Sequence, residues 1–261
     1  MTQTEESLLD TQRVWLAADY HFPATYSCRL PMSSMTTASI TPAPGPATVR
    51  LALVKVGIEC FGYDEVRETL FPIVRSMNIR IRPPEKVALS PHVLHAYKTE
   101  ERRGIVQVNE APITREMAHA EGSMTVYVHV PHEQEAQWTR LLYMIGYWGQ
   151  TSSFTNCMHV EQVAPDEDEC ALSLPEILPT RPAHSYFPCL LTEFRNYQVA
   201  WEEILPDAPR SHLSPLHYRM YLWPLRRVKQ HTGGMLLVRT PFSHERPIQS
   251  KELTFEREQK Q

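Results

Sequence analysis

The segment Thr41-Pro42-Ala43-Pro44-Gly45-Pro46-Ala47-Thr48-Val49-Arg50 constrains this chain most, because it runs straight into the apolar block Leu51-Ala52-Leu53-Val54-Lys55-Val56-Gly57-Ile58. Proline holds φ in one narrow range and turns the residue before it away from the helical region. Three prolines and a glycine in this segment therefore fix an extended loop. Pro46 suits the first turn of a helix, where a missing N–H goes unused. The apolar spacing that follows predicts a helix over Ala47 to Cys60. Such a loop gathers backbone donors and a helix N-terminus at one spot, which favours phosphate or another anion. The same residues also serve as a plain helix start.

The 261 residues make one large domain or two small ones, with enough chain to bury a core. Hydrophobic residues at 42% and charged residues at 21% describe a soluble globular protein. No apolar run approaches the ~18 residues of a membrane span. The acidic start, Met1-Thr2-Gln3-Thr4-Glu5-Glu6, lacks the cationic region of a secretory signal. Cys28, Cys60, Cys157, Cys170 and Cys189 show no Cys-x-x-Cys spacing, so they read as reduced thiols of a cytoplasmic protein.

A net charge of −4 argues against indiscriminate binding of nucleic acid. The distribution is uneven. Between Phe71 and Arg115 eight basic residues face four acidic ones, and between Arg219 and Arg246 only Glu245 opposes the cations. Asp166-Glu167-Asp168-Glu169 is wholly acidic. These runs are either a polyanion surface or ordinary solvated faces.

A first strand is predicted at Arg13–Asp19, then a loop from Tyr26 to Pro46, the helix, and further helical turns over Asp64–Leu70. Met77–Arg82 alternates and reads as a strand with one basic and one apolar face, stopped by Pro83-Pro84. Residues Glu85 to Gly122 carry much of the positive charge with little regular periodicity. Ser123–Pro131 is a strand, His132–Trp148 a helix with Trp138, Leu141, Leu142 and Ile145 on one stripe, and Asn156–Val163 a strand. This β, α, β, insertion, β, α, β order predicts an α+β, ferredoxin-like sheet with helices on one face, the scaffold of RRM-like modules. Leu174–Pro188 reads as a linker or extended arm. Tyr218–Val228 and Met235–Arg239 read as a hairpin turning through Gly233-Gly234, a small β-rich extension, with Lys251–Gln261 frayed or helical.

The order of these segments resembles the Cas-five family of CRISPR-associated RAMP proteins. The resemblance rests on the Pro44-Gly45-Pro46-Ala47-Thr48 helix entry, an insertion ending in Thr114-Arg115-Glu116, and a helix closing with Ile145-Gly146-Tyr147-Trp148-Gly149-Gln150-Thr151-Ser152-Ser153. It covers roughly Arg13 to Val163 and implies a RAMP domain over residues 1–163 with a thumb insertion at about 83–122. Residues 164–261 are then linker and C-terminal β-hairpin subdomain. The family implies a one-copy, non-catalytic subunit of a type I Cascade complex, serving defence or guided transposition. Its partners would be the 5′ handle of the crRNA, a Cas-seven-type backbone subunit, the large subunit and, indirectly, target DNA. No cofactor and no metal are implied.

A single-stranded handle needs cations for its phosphates and flat side chains for its bases. The candidate cations are Arg50, Arg80, Arg82, Lys86, Lys98, Arg102, Arg103 and Arg115, and guanidinium suits phosphate best. Tyr97, His95 and His119 are candidate stackers, with Tyr97 equally a packing residue. Arg102-Arg103 beside Glu100-Glu101 reads alternatively as a self-paired loop tip. Thr48, Ser34 and Thr36 complete the set, the last two in a loop that either touches the handle or covers the sheet edge. Trp138 and Trp148 read as core anchors.

Twelve histidines form no His-Glu-x-x-His or Cys-rich zinc pattern, and neither a nucleophile elbow nor a phosphate loop occurs. One catalytic alternative is metal-independent cutting of precursor crRNA by Tyr97, Lys98 and His95 or His119. Another is a small-molecule enzyme on the same scaffold, with the proline loop as an anion pocket.

Overall fold

The computed structural model describes residues 13–31, 33, 37–102, 105–173, 186–195, 198–205, 214–231 and 233–242. Strand β1 (Arg13–His21) is followed by the short strands β2 (Cys28–Arg29), β3 (Thr37–Ala38) and β4 (Ile40–Thr41), then helix α1 (Pro46–Phe61). A broken helical run, Tyr63–Glu65, Val66–Leu70 and Phe71–Ser76, leads to β5 (Ile79–Arg82). Next come β6 (Lys86–Arg102), β7 (Ile105–Glu121), β8 (Met124–Pro131), helix α2 (Glu135–Met144) and β9 (Asn156–Gln162). The chain continues through β10 (Leu172–Ser173), β11 (Phe187–Phe194), β12 (Leu216–Trp223), β13 (Leu225–His231) and β14 (Gly234–Arg239).

The fold is mixed α/β with several antiparallel sheets. Its central sheet has the order β5-β8-β1-β9, and each neighbouring pair is antiparallel. Both crossovers, β1-α1-β5 and β8-α2-β9, therefore skip one place, and the skipped place is filled by a strand of the other unit. The period of two in a strand sorts the side chains. Leu16, Ala18 and Tyr20 join Val126, Val128 and Val130 in the core under the helices, while Ala17 and Tyr127 form a separate cluster with Cys170 on the opposite face.

Pro46 occupies the first turn of α1, as its missing N–H allows, and the helix ends at Gly62, whose N–H bonds Ile58 O at 3.0 Å. Its buried positions include Val49, Leu53, Val54, Val56 and Gly57, a broad apolar face rather than a narrow stripe. Gly57 is required by close approach: a Cβ there would stand 2.5 Å from Leu70 Cδ2.

Two expectations are corrected. Residues 85–122 are not irregular: β6 and β7 pair antiparallel from Lys86↔Glu121 to Arg102↔Ile105. At the usual strand rise this ribbon is roughly 55 Å long. Its root is widened by β14, which pairs Met235–Val238 with Leu89–Lys86, and by β3, parallel to Thr114–Arg115. The second correction concerns the C-terminal hairpin. The stretch Tyr218–Val228 is not one strand, because it breaks at Pro224. Upstream of the break β12 belongs to the sheet β10-β12-β11, and downstream β13 belongs with β14 to the ribbon sheet. Phe187 and Pro188, read as the end of a linker, begin β11.

One buried cluster runs from Leu16, Leu53 and Val126 to Leu191, Trp223 and Leu237, so the C-terminal strands share their core with the central sheet. Trp138 and Trp148 are both fully buried in it.

Candidate nucleic-acid interface

The entrance to α1 opens on a cleft of about 150 Å³ lined by Ser27, Cys28, Arg29, Thr41, Gly45, Thr48, Trp148, Gly149 and Gln150, among others. Gly45 gives α1 no side-chain cap, and Pro46 has no N–H. Val49 N bonds Gly45 O at 3.2 Å, so among the described residues the Ala47 and Thr48 amides are left without an intrahelical acceptor at the helix end. The macrodipole adds partial positive charge at the same place.

The dipeptide Tyr26-Ser27 ties this cleft to distant parts of the chain. Tyr26 exchanges two backbone hydrogen bonds with Ala118 of β7, at 2.9 and 2.7 Å. Its hydroxyl donates to Pro42 O at 2.6 Å. Ser27 N donates to Ser153 Oγ at 3.1 Å, and Ser153 Oγ donates back to Ser27 O at 3.0 Å. The ribbon root, the proline loop and the Gly149–Ser153 turn are thereby held at one place. Gly149 sits at φ +72° with Thr48 Cγ2 3.6 Å from where its Cβ would lie, so this turn needs glycine for its backbone and not for space. Ser27 Oγ and Trp148 Nε1 are buried without a hydrogen-bond partner among the described residues. Burial pushes the Cys28 thiol up to about 12, which keeps it neutral and excludes it as a nucleophile at neutral pH.

The candidate residues fall into distinct places. Thr48 lines the cleft. Arg115 does not line it but sits at the β3–β7 junction, its Nε buried without a partner among the described residues. The neighbouring Glu116 accepts a hydrogen bond from Ile40 N at 3.1 Å.

Arg50 does not reach the cleft. It is 7% exposed, donates to Val74 O at 3.1 Å and Met77 O at 2.7 Å, and pairs with Glu193. Its charge stitches the interior together and is not offered to a phosphate.

Arg80 and Arg82 lie on the sheet face away from the helices and are not open cations there. Arg80 pairs with Glu167 at 2.8 Å. Arg82 bonds Glu169 at 3.2 Å and Thr125 Oγ1 at 2.8 Å, with Asp19 at 3.7 Å. Burial works against the Arg82 charge, but Tyr127, Glu169 and Asp19 around it hold its pKa above the usual value. The acidic turn thus closes the face that an RRM-like reader would present, with Tyr127 buried against Cys170. Trp15 and His129 stack on each other at its edge, 4.7 Å apart.

Lys86 pairs with Glu121 at 2.6 Å, at the ribbon root. With His119 and His21 it lines a shallow hollow of about 450 Å³. His95 pairs with Glu110 across the ribbon. Tyr97 opposes Glu110 and Lys98 opposes Asn109 in the backbone register, and Arg102 closes it. Ser34, Thr36 and Arg103 lie outside the described residues.

The strand register does not bring His119 to Tyr97 and Lys98. His119 pairs with Ala88, ten positions along β6 from Lys98 and about 33 Å away at the usual rise. Among the described residues no group of three His, Cys, Asp or Glu side chains is placed to hold a metal ion. None of the helices described is long and apolar enough to cross a membrane.

Sequence reasoning missed Tyr26, Ser27 and Arg29, which sit in a stretch without periodicity. Their roles appear only through contacts with residues far along the chain.

No family model matches this chain. Over 84 residues it is 34% identical to the CRISPR-associated protein Cas5 of Archaeoglobus fulgidus, a match covering 32% of this chain and 37% of that relative's length. The family resemblance read from the segment order is therefore met by a curated relative over part of the sequence. Among solved structures, a CRISPR protein from Archaeoglobus fulgidus has 12% identity and a TM-score of 0.45 over 87% of this chain and 92% of that one. A chain of a CRISPR RNA-guided surveillance complex has 12% identity and a TM-score of 0.40 over 95% and 100%. A chain of the Type III-B Cmr-beta complex bound to cognate target RNA has 10% identity and a TM-score of 0.45 over 60% and 63%.

Proposed function

We propose that this protein is a Cas-five-type, non-catalytic RNA-binding subunit of a CRISPR effector complex, and that the entrance cleft of α1 receives the 5′ handle of the guide RNA. The observation that carries this reading is the junction at Tyr26-Ser27, where the helix entry, the serine turn and the ribbon root meet. These are the segments on which the family resemblance rests. Handle phosphates accept from the free amides of α1 and from Arg29, and Arg115 flanks them from the ribbon. The β6–β7 ribbon acts as the thumb, carrying Lys86, His95, Tyr97, Lys98, Arg102 and His119 along the RNA or a neighbouring subunit.

The central sheet is read as ferredoxin-like, supported by two crossovers that each skip one strand. The complex is read as a cytoplasmic type I Cascade. A Cas-seven-type backbone subunit and the large subunit are its protein partners, and target DNA is reached through them.

The test is co-expression with a repeat array and those two partners, followed by the ultraviolet absorbance ratio of the purified assembly. RNA should co-purify, and Arg29→Glu should weaken handle binding roughly tenfold or more, the worth of one charge-assisted hydrogen bond. Unchanged affinity in that variant would remove the cleft from the reading. Incubation with precursor repeat RNA in the absence of metal should leave the RNA intact; site-specific cleavage abolished by His95→Ala would instead make the protein a processing nuclease.

A further inference from the structure

A second cleft, of about 330 Å³, opens on the other side of α1, where Pro46 and Arg50 line it instead of Thr48. Its other walls are the Met77–Arg80 stretch and the sheet containing β11 and β12. Arg75, Arg195, His217 and Arg219 line it, Arg80 touches it while its guanidinium pairs with Glu167, and among the described residues Glu193 is the one carboxylate in its lining.

That carboxylate is already committed. Glu193 pairs with Arg50, accepts from Phe194 N at 3.1 Å and accepts from the Tyr221 hydroxyl at 2.8 Å. It therefore neutralises Arg50 and is not left over for Arg75 or Arg219. Among the described residues, Arg75 and Arg219 form no hydrogen bond or ion pair with an acidic side chain. Arg195 places Nη2 3.5 Å from Glu203, but among the described residues its Nη1 is buried without a partner, as is His217 Nδ1. Buried polar groups of this kind are ordinarily satisfied, by protein or by something bound. Several guanidinium groups converging on a concave site with spare donors match the oxygens of a phosphate, which accept forked hydrogen bonds. The volume lies at the small end of ligand sites, about 300–1,000 Å³, and suits one nucleotide rather than a folded peptide.

We propose that this cleft is a phosphate-ester site, holding one nucleotide unit on the side of α1 turned away from the entrance cleft. The inference does not rest on the handle reading, since it uses neither the entrance cleft nor the ribbon. The nucleotide is supplied either by a nucleic-acid strand or free in solution, and the two sources are separable by experiment.

The test measures binding of a short fluorescent single-stranded oligoribonucleotide to the full chain by anisotropy across a salt series, with adenosine monophosphate as the second arm. Arg75→Glu, Arg219→Glu and the milder Arg75→Gln and Arg219→Gln are compared with Arg67→Glu, a surface arginine paired with Glu202 outside this cleft. Each lost phosphate contact should weaken oligonucleotide binding and flatten the log–log salt slope by about 1, while Arg67→Glu leaves the slope unchanged. Competition by adenosine monophosphate, lost in the same variants, assigns a free nucleotide; binding of the oligonucleotide without that competition assigns a strand. Unchanged affinity and slope in the two glutamine variants would overturn the proposal, as would binding of an acidic peptide in place of both nucleotides. Loss of Arg29-dependent binding with the Arg75 and Arg219 effects intact would leave this site standing and the handle reading corrected.

Discussion

The two sides of the central sheet handle arginine in opposite ways. On the side away from the helices, Arg80 and Arg82 are met by Glu167, Glu169 and Asp19. On the helix side, Arg50 takes Glu193, and among the described residues Arg75 and Arg219 stand at the same cleft without a carboxylate partner. Among the described residues the arginines named on the sheet face are paired with carboxylates, whereas Arg75 and Arg219 are not. Affinity for a polyanion follows the cations without partners, so the sheet face is a poor reader of RNA although its sequence looks basic.

The largest expected effect comes from breaking the helix side. Glu193→Ala strands Arg50, whose side chain is only 8% exposed, and should cost about 3–5 kcal/mol in urea denaturation. A loss below about 1 kcal/mol would mean that backbone carbonyls alone satisfy Arg50. Next is the turn that shapes the entrance cleft. Gly149→Ala must adopt φ +72° and should cost about 1–2 kcal/mol in the same assay, with handle binding reduced alongside stability. The smallest stability change sharpens the comparison most. Glu167→Gln with Glu169→Gln removes surface pairs worth about 0–1 kcal/mol, yet takes Glu167 from Arg80 and leaves Arg82 with Asp19 at 3.7 Å. It should raise non-specific RNA affinity and steepen the salt slope by about 1 for each arginine engaged. An unaltered slope would show that the sheet face is closed by shape and not by charge.

The elements of the central sheet were legible from their strand-forming content and from apolar spacing that burial imposes. The alternation of Met77–Arg82, with Ile79 and Ile81 buried and Arg80 and Arg82 half-buried, and the stripe of Trp138, Leu141 and Leu142 are direct imprints of burial. The β6–β7 ribbon left no such imprint. Beyond its root no sheet or helix among the described residues pairs with it, and Val93 and Leu94 are exposed at 65% and 39%. A strand in water on both sides needs no alternation, so the pattern signal vanished where the hydrogen-bond ladder did not. The fate of Arg80 and Arg82 was illegible for another reason. Their partners lie 87 residues onward, in an acidic turn whose position only the fold determines. The helix entry was recognised as a candidate site, but its neighbours Ser27 and Arg29 belong to a stretch whose meaning is entirely tertiary.

The knot at Tyr26-Ser27 also sets an order of events during synthesis. Its hydroxyl bond to the proline loop spans 16 residues, but the bond to Ser153 spans 126. Contacts so far apart in sequence close late, after the intervening strands have docked. A nascent chain emerging from the ribosome therefore holds an unfinished grip until the serine turn arrives, and cellular RNA meets no completed binding surface before then.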